Sequence, residues 1–212
     1  YSYYRELEER GLNPAEFPFE NLDPAAAATA LQTESAEIRA ICVWNPFALQ
    51  TLRNNKKSKT ICDSKEIPEE IIDMMVIGND SLAKPGGEDF AACLCDTFYE
   101  VCKKLNDKDQ KIADATLTAL GEDFSKLPLE DMKIVVKETA FYETPERGQN
   151  LFSSEAFKNK MQIIVKTCQK LTVDGGLEIL EPNKPAPTIG YDDATKQLNF
   201  STKYMKRAAS GK

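Results

Sequence analysis

Histidine is absent from the 212-residue chain. Its imidazole is the commonest general base near neutral pH and a frequent zinc ligand, so its absence excludes catalysis by Ser–His or Cys–His pairs. The sequence also has no Walker-type loop and no G-x-S-x-G motif. Chemistry would have to depend on carboxylates or cysteines, and we expect a protein that is not an enzyme and carries no cofactor or metal.

Long apolar runs and basic segments are also scarce. No run of about 18 apolar residues occurs, so the sequence predicts no membrane span, and its first residues lack the pattern of a signal peptide. The net charge of -7 disfavours nucleic acid and anionic membranes as partners, because an acidic surface repels phosphate groups. The longest basic cluster, at 56–59, is interpreted as a solvated loop. With 42% apolar residues, the chain has enough material for a globular core.

The cysteines form no C-x-x-C pair, which argues against a metal site made of thiolates alone. Their positions inside apolar segments favour buried free thiols, and a spacing of seven places Cys95 and Cys102 on one helical face. Export would permit disulfides, although the spacing does not predict which. The six cysteines are Cys42, Cys62, Cys93, Cys95, Cys102 and Cys168.

Helices and strands alternate in the predicted structure of the first 77 residues. Helices are predicted at 3–9, after the Asp23-Pro24 cap, and after Asn45-Pro46. Continuous apolar stretches between helices suit buried parallel strands, so we predict strands at 17–21, 38–43, 60–62 and 71–77. Further along, apolar residues recur at helical spacing, which predicts helices at 90–105, 117–124, 129–136, 157–171 and 200–209.

Trp44 and Asn45 lie where the predicted strand 38–43 ends and a helix begins. Ligands collect at the carboxyl ends of strands in open α/β sheets, and an indole offers an apolar wall with one N–H donor. Asn45 can cap the helix or turn its amide to a ligand. The alternative is that Trp44 plugs the core below the helix. Tyr1, Tyr3 and Tyr4 surround another helix start, where backbone N–H groups attract anions.

Asp73 interrupts an apolar run, so its carboxylate must be paired or face a cavity. It is either a ligand contact or a hinge partner. Most of the acidic residues lie on polar faces or in loops and are predicted to be solvated, among them Glu6, Glu8, Glu9, Glu69 and Glu70.

Four segments in order resemble the type 2 periplasmic binding proteins of the nitrate, sulfonate and taurine class, which includes the thiamine-pyrimidine binders. They read "YYRELEERGLNP", "LDPAAAATALQTESAEIRAICVWNPFALQTL", "DSKEIPEEIIDMMVIGNDSLA" and "NLFSSEAFKNKMQIIVKTCQKL". The likeness spans most of residues 1–170 and departs from the family pattern at 34–39.

The resemblance implies an α/β fold of the two-lobed periplasmic binding protein-like II type, incomplete at its N-terminus. Residues 1–68 would form a second-lobe α/β unit, 69–175 the hinge return and helical part of the first lobe, and 176–212 a C-terminal cover segment. Because family members are longer, we expect further chain upstream of Tyr1. A return segment without its sheet partners would expose apolar surface.

By the same resemblance, the protein would capture a small anionic or zwitterionic solute such as nitrate, a sulfonate or taurine. It would deliver the solute, as a monomeric periplasmic or cell-surface protein, to the permease of an ABC transporter. Trp44 would be the wall of the site, Asn45 a hydrogen-bonding group and Asp73 the polar contact beside the hinge. Tyr1, Ser2 and Tyr3 would form an anion site at the helix start.

Two other functions remain open under the resemblance. Relatives of the same fold make the thiamine pyrimidine and consume one of their own histidines, which this chain lacks. A sensor or assembly component that lost its solute is the third interpretation.

Overall fold

The computed structural model describes residues 1–33, 38–174 and 185–210. The chain divides into two compact units. Unit 1 comprises Tyr1–Ile72 and Ile163–Lys184, and unit 2 comprises Asp73–Gln162 and Pro185–Lys212. Part of the predicted departure at 34–39 and the start of the predicted cover segment lie outside the described residues.

Unit 1 begins with three helices, α1 (Ser2–Glu9), α2 (Pro24–Gln32) and α3 (Phe47–Asn54), with a 3-10 turn at Pro14–Glu16. The Asp23 carboxylate caps α2 by accepting from two backbone N–H groups. Helices α2 and α3 pack together. At that contact the Asn55 amide donates to the Leu31 carbonyl oxygen at 3.0 Å. These three helices are confirmed predictions.

Unit 2 contains most of the helical residues. Its helices are α4 (Asn79–Leu82), α5 (Gly87–Leu105), α6 (Gln110–Leu120), α7 (Leu129–Glu138) and α8 (Pro145–Ser153), with a π-helical turn at Gly121–Ser125. Helix α9 (Glu155–Asp174) follows and contributes its first residues to unit 2 and its later residues to unit 1. Two short strands, β1 (Ile189–Tyr191) and β2 (Leu198–Phe200), pair in parallel before α10 (Lys203–Ala209).

Four aromatic rings form the centre of unit 2. Phe157 is completely buried, and its ring lies 5.3 Å from that of Phe152 and 5.0 Å from that of Phe200, centroid to centroid. The Tyr191 ring stacks on Phe200 at 5.6 Å. Helix α9 therefore supplies the residue around which β1, β2 and α8 assemble.

Helix α10 packs on α5 and α8. Lys203 Nζ and the Tyr204 hydroxyl both reach Glu88 Oε2, at 2.6 and 2.8 Å. On the other side, a Cβ at Gly148 would lie 2.9 Å from Met205 Sδ, so glycine allows the close approach of α8 to α10. Contacts on both flanks fix the terminal helix.

The predicted two-lobed α/β fold of the periplasmic binding protein-like II type is wrong. The described residues are mostly helical, and their only strands are the three-residue segments β1 and β2. The stretches 17–21, 38–43, 60–62 and 71–77 form no strand. An apolar stretch becomes a strand only when neighbouring backbone completes its hydrogen bonds, and no such ladder reaches these segments in the described chain.

The stretch 71–77 runs without regular structure and leaves apolar side chains in solvent. Val76 is 79% exposed and Met75 54% exposed. Among the described residues, no helix is both long and apolar enough to cross a membrane.

Candidate functional site

The Trp44 corner is the surface formed by Trp44, Asn45, Pro46 and Phe47 at the start of α3. The Trp44 carbonyl oxygen accepts from the Ala48 N–H at 3.1 Å, and the Asn45–Pro46 peptide bond is cis. Trp44 is 64% exposed, and its ring lies edge to face with that of Phe47, with ring centroids 6.5 Å apart. Trp44 therefore does not plug a core.

The amino-terminal end of α3 has no side-chain hydrogen bond from its N-cap residue within the described part of the chain. Its N-cap residue is Pro46, which has no side-chain hydrogen bond to offer, so Asn45 is not the cap that the sequence allowed. First-turn N–H groups carry the positive end of the helix dipole. The Trp44 corner thus combines a flat apolar surface with a weakly positive helix end.

The predicted anion site at the start of α1 is occupied by contacts within unit 1. The Tyr1 hydroxyl donates to Glu70 Oε2 at 2.7 Å, and the Tyr3 hydroxyl donates to the Phe17 carbonyl oxygen at 3.3 Å. Ser2 is the first residue of α1 and does not cap it. Because both hydroxyls are already engaged, neither is available to line a site for a solute anion there.

Arg5 and Glu70 form a bidentate ion pair in unit 1. Arg5 Nε lies 2.7 Å from Glu70 Oε2, and Arg5 Nη2 lies 3.0 Å from Oε1. The Glu70 side chain is 0% exposed. The hydrogen bond to Glu70 raises the pKa of Arg5, although desolvation acts against it. Burial, followed by the contact with Glu70, raises the pKa of Tyr1.

Further carboxylates surround this pair. Arg5 also contacts Glu8 at 3.1 Å and Glu9 at 2.6 Å, while Arg10 joins Glu6 to Glu66. The prediction that Glu6 and Glu70 are solvated is wrong, since both are buried. The spacing of Arg5 to Glu8 and Glu9 is visible in the sequence, but its pairing with a residue 65 positions away is not.

Asp73 is exposed and belongs to unit 2, whereas Trp44 and α1 belong to unit 1. Because Asp73 is exposed, water can solvate its carboxylate. The carboxylate therefore does not need the ion-pair partner or cavity that its apolar neighbours in the sequence implied. Its predicted role as a solute contact stays a prediction.

The six cysteines differ in exposure, and Cys168 is half-buried. Cys42, Cys62 and Cys93 are exposed, so the prediction of burial is wrong for them, whereas Cys95 and Cys102 are buried on one face of α5 as predicted. Desolvation raises the pKa of Cys95 to about 11 and also raises that of Cys102. Neither buried thiol is therefore a nucleophile near neutral pH.

The residues predicted to bind a solute lie in neither of the two grooves described below and in no candidate metal site of the described chain. No group of three or more Cys, Asp or Glu side chains in the described chain is placed to hold a metal ion. Unit 2 has two open grooves, of about 340 Å³ along α5 and α10 and about 320 Å³ beside Cys102 and Arg147. Neither includes Trp44, Asn45, Asp73 or the start of α1.

Comparisons of the chain with family models, curated proteins and solved structures find no match.

Proposed function

We propose that the protein binds a small anionic or zwitterionic solute at the Trp44 corner, as the solute-binding component of an ABC transporter. The observation that carries the proposal is the exposed indole beside the start of α3, where the N-cap residue Pro46 makes no side-chain hydrogen bond. An aromatic side chain of this size removes much apolar surface from water when a ligand covers it. A ligand that covers the ring would gain this apolar contact.

Electrostatics at the corner favour an anion. The helix dipole stabilises a negative group near the first turn by about 0.3–1 kcal/mol, and no acidic residue occupies the first turn of α3. Asn45 lies next to this turn in the sequence. Nitrate, sulfonates and taurine all present a compact anionic group to such a surface.

The transporter, the periplasmic or cell-surface location and the monomeric state are part of the proposal and derive from the sequence resemblance alone. The two-lobed fold forms no part of it. The start of α1 is left out of the site, because its tyrosine hydroxyls donate to Glu70 and to Phe17.

Calorimetric titration and thermal unfolding with nitrate, methanesulfonate, taurine and the thiamine pyrimidine test the proposal. A solute at one hundred times its dissociation constant should stabilise the fold by about 2.7 kcal/mol. Trp44→Ala should abolish the heat of binding while changing the free energy of unfolding by less than about 0.5 kcal/mol. Phe90→Ala, which removes another exposed aromatic ring, serves as the matched control and should bind normally.

A second candidate is an assembly component that binds another protein instead of a solute. It is favoured by the large apolar side chains that unit 1 leaves exposed in addition to Trp44, which are Leu12, Phe17, Phe19, Leu52, Ile61 and Ile71. The absence of binding to all four solutes, together with concentration-dependent association in sedimentation experiments, would replace the first proposal by this one.

A further inference from the structure

The Arg147 groove is the cavity of about 320 Å³ in unit 2 that lies between the ends of α5 and α7 and the start of α8. Sites for small molecules usually have volumes of roughly 300–1,000 Å³. All of the residues that line this groove belong to unit 2. A ligand in it would therefore need no contribution from the Trp44 corner, which belongs to unit 1.

Apolar side chains supply part of the lining. Leu105 ends α5, Val136 lies in the last turn of α7, and Phe141 lies in the segment that leads to α8. Leu105 and Val136 also pack against the buried cluster that contains Leu117 and Met132. The three lining residues are half-buried, so each keeps apolar surface that a ligand can remove from water.

Arg147 and Glu143 bring one positive and one negative side chain to the same groove. Arg147 Nη1 donates to Glu143 Oε1, and the guanidinium carbon lies 5.9 Å from the centre of the Tyr142 ring. Among the described residues, Arg147 Nε and Nη2 donate to no group. The guanidinium is therefore left with two donors in the fork geometry that suits a carboxylate.

Several negative groups lie beside this guanidinium. A hydrogen bond from its own backbone N–H, followed by the contact with Arg147, lowers the pKa of Glu143, although desolvation acts against both. The Glu143 carboxylate is therefore ionised at neutral pH. The carboxyl ends of α5 and α7, which border the groove, carry partial negative charge on their last carbonyl groups. This side of the pair favours an ammonium group.

We propose that the Arg147 groove binds a free α-amino acid with an apolar side chain. The α-carboxylate accepts from Nε and Nη2 of Arg147, and the α-ammonium donates to Glu143. The apolar side chain covers Leu105, Val136 and Phe141. An α-amino acid carries its two charges on groups attached to one carbon atom, which matches the direct contact between Arg147 and Glu143.

The charges of the pair select against simpler ligands. A carboxylate without an ammonium group would be repelled by Glu143, and an amine without a carboxylate would be repelled by Arg147. The inference goes beyond the proposed function and does not depend on it, because the two sites share no residue.

Calorimetric titration of the full-length chain with L-phenylalanine and L-leucine tests the proposal. We expect saturable binding at one site. Three probes each lack one feature of L-phenylalanine: glycine lacks the apolar side chain, 3-phenylpropanoate the ammonium group and 2-phenylethylamine the carboxylate. Each should bind at least about tenfold more weakly than L-phenylalanine, because it loses either the apolar contact or a charge-assisted hydrogen bond.

Matched variants locate the site. Arg147→Gln and Glu143→Gln should each weaken the binding of L-phenylalanine at least about tenfold. Arg207→Gln removes a positive side chain from the other groove of unit 2, and it should leave the affinity unchanged, as should Trp44→Ala. Circular dichroism checks that each variant is folded, and the three probes test the parent chain without any substitution.

Three results would overturn the proposal. The first is the absence of binding by both amino acids at millimolar concentration, and the second is equal affinity for L-phenylalanine and 3-phenylpropanoate. The third is binding that is lost in Trp44→Ala but kept in Arg147→Gln, which would place the amino acid at the Trp44 corner and support the proposed function instead. Failure of nitrate, methanesulfonate and taurine to bind would contradict the proposed function alone.

Discussion

Unit 1 buries a charged carboxylate, whereas unit 2 buries a cluster of aromatic rings. In unit 1 the Glu70 side chain is fully excluded from solvent and is neutralised by Arg5. In unit 2 the Phe157 ring is equally buried but needs no partner of opposite charge. The two units therefore depend on different interactions for their stability.

This difference determines which substitutions should destabilise each unit. Aromatic packing is tolerant of pH and salt, and its loss leaves a cavity. A buried ion pair contributes little net energy compared with apolar residues of the same size, yet removing one partner leaves a charge in a poorly solvated place. Unit 1 should thus be sensitive to single charge changes, and unit 2 to single changes in volume.

The largest expected effect is in unit 2. Phe157→Ala should lower the free energy of unfolding by about 4 kcal/mol, because it removes a fully buried ring and leaves a cavity between Phe152 and Phe200. Denaturant titration followed by circular dichroism measures the change. Phe90→Ala, at a position 61% exposed, should stay within about 0.5 kcal/mol of the parent. Equal effects of the two substitutions would show that the cluster is not the core of unit 2.

The next effect is in unit 1. Glu70→Gln should lower the free energy of unfolding by about 3 kcal/mol, since Arg5 keeps its charge but loses its buried partner. Denaturant titration followed by Trp44 emission measures this change from within unit 1. Glu20→Gln, at an exposed position, is the control for the loss of one negative charge.

The double variant Arg5→Met with Glu70→Leu sharpens the interpretation. If the ion pair serves mainly to avoid an isolated charge, the double variant should recover most of the stability that Glu70→Gln loses. A double variant that is no more stable than Glu70→Gln would mean that Arg5 acts through Glu8 and Glu9 as well as through Glu70.

Helices could be predicted from the sequence because their signals are local. The spacing of Phe90, Leu94 and Phe98 predicts α5 itself, and Asp23 followed by Pro24 predicts the start of α2. The prediction that this apolar stripe faces the core is wrong for Phe90, which is exposed, and the buried residues of α5 are Ala91, Ala92, Cys95 and Cys102. Strands could not be predicted in the same way. An apolar stretch such as 38–43 is compatible with a strand, but the hydrogen-bonding partner that makes it one is not encoded in the stretch itself.

The same distinction between local signals and distant partners applies to the candidate site. The sequence identifies Trp44 and the start of α3, since both depend on adjacent residues, but it leaves exposure and burial of the indole as alternatives. The pairing of Arg5 with Glu70 joins residues far apart in the chain, and no local pattern distinguishes Glu70 from the solvated Glu20. Packing decides such questions, and packing is a property of the assembled unit.

A smaller effect is expected at the start of α10 in unit 2. Asp192 accepts from the Thr202 N–H at 2.6 Å, from the Thr202 hydroxyl at 2.5 Å and from Lys206. Desolvation opposes ionisation, but these hydrogen bonds outweigh it and lower the pKa of Asp192. Because the side chain is partly exposed, Asp192→Asn should cost only about 1.5 kcal/mol at neutral pH.

The pH dependence of the free energy of unfolding tests the contribution of the Asp192 carboxylate. A carboxyl group with a lowered pKa in the folded state stabilises the fold above its ordinary pKa of about 3.9, and this stabilisation is lost as the pH falls through the folded value. The stabilities of the parent and of Asp192→Asn, measured by denaturant titration, should therefore converge in acid. Asp80→Asn, at an exposed position, should follow the parent throughout. A gap that persists in acid would show that the effect is not electrostatic.

The smallest expected effect compares one tyrosine hydroxyl in each unit. The Tyr1 hydroxyl donates to Glu70 at 2.7 Å, whereas the Tyr191 hydroxyl is buried without a hydrogen-bond partner among the described residues. Tyr1→Phe should therefore lower the free energy of unfolding by about 1 kcal/mol, while Tyr191→Phe should leave it unchanged or raise it slightly. Denaturant titration of the two variants under identical conditions measures both.

Alkaline pH separates the Tyr1 hydrogen bond from a simple change in packing. The raised pKa of Tyr1 means that the folded state keeps the phenolic proton, so this contribution is fully present below the ordinary tyrosine pKa of about 10 and declines at higher pH. The difference between the parent and Tyr1→Phe should shrink above that pH. A loss of stability in Tyr191→Phe as large as that in Tyr1→Phe would contradict this contrast between the two hydroxyls. It would mean that a hydroxyl without a described partner stabilises unit 2 as much as the hydroxyl bonded to Glu70 stabilises unit 1.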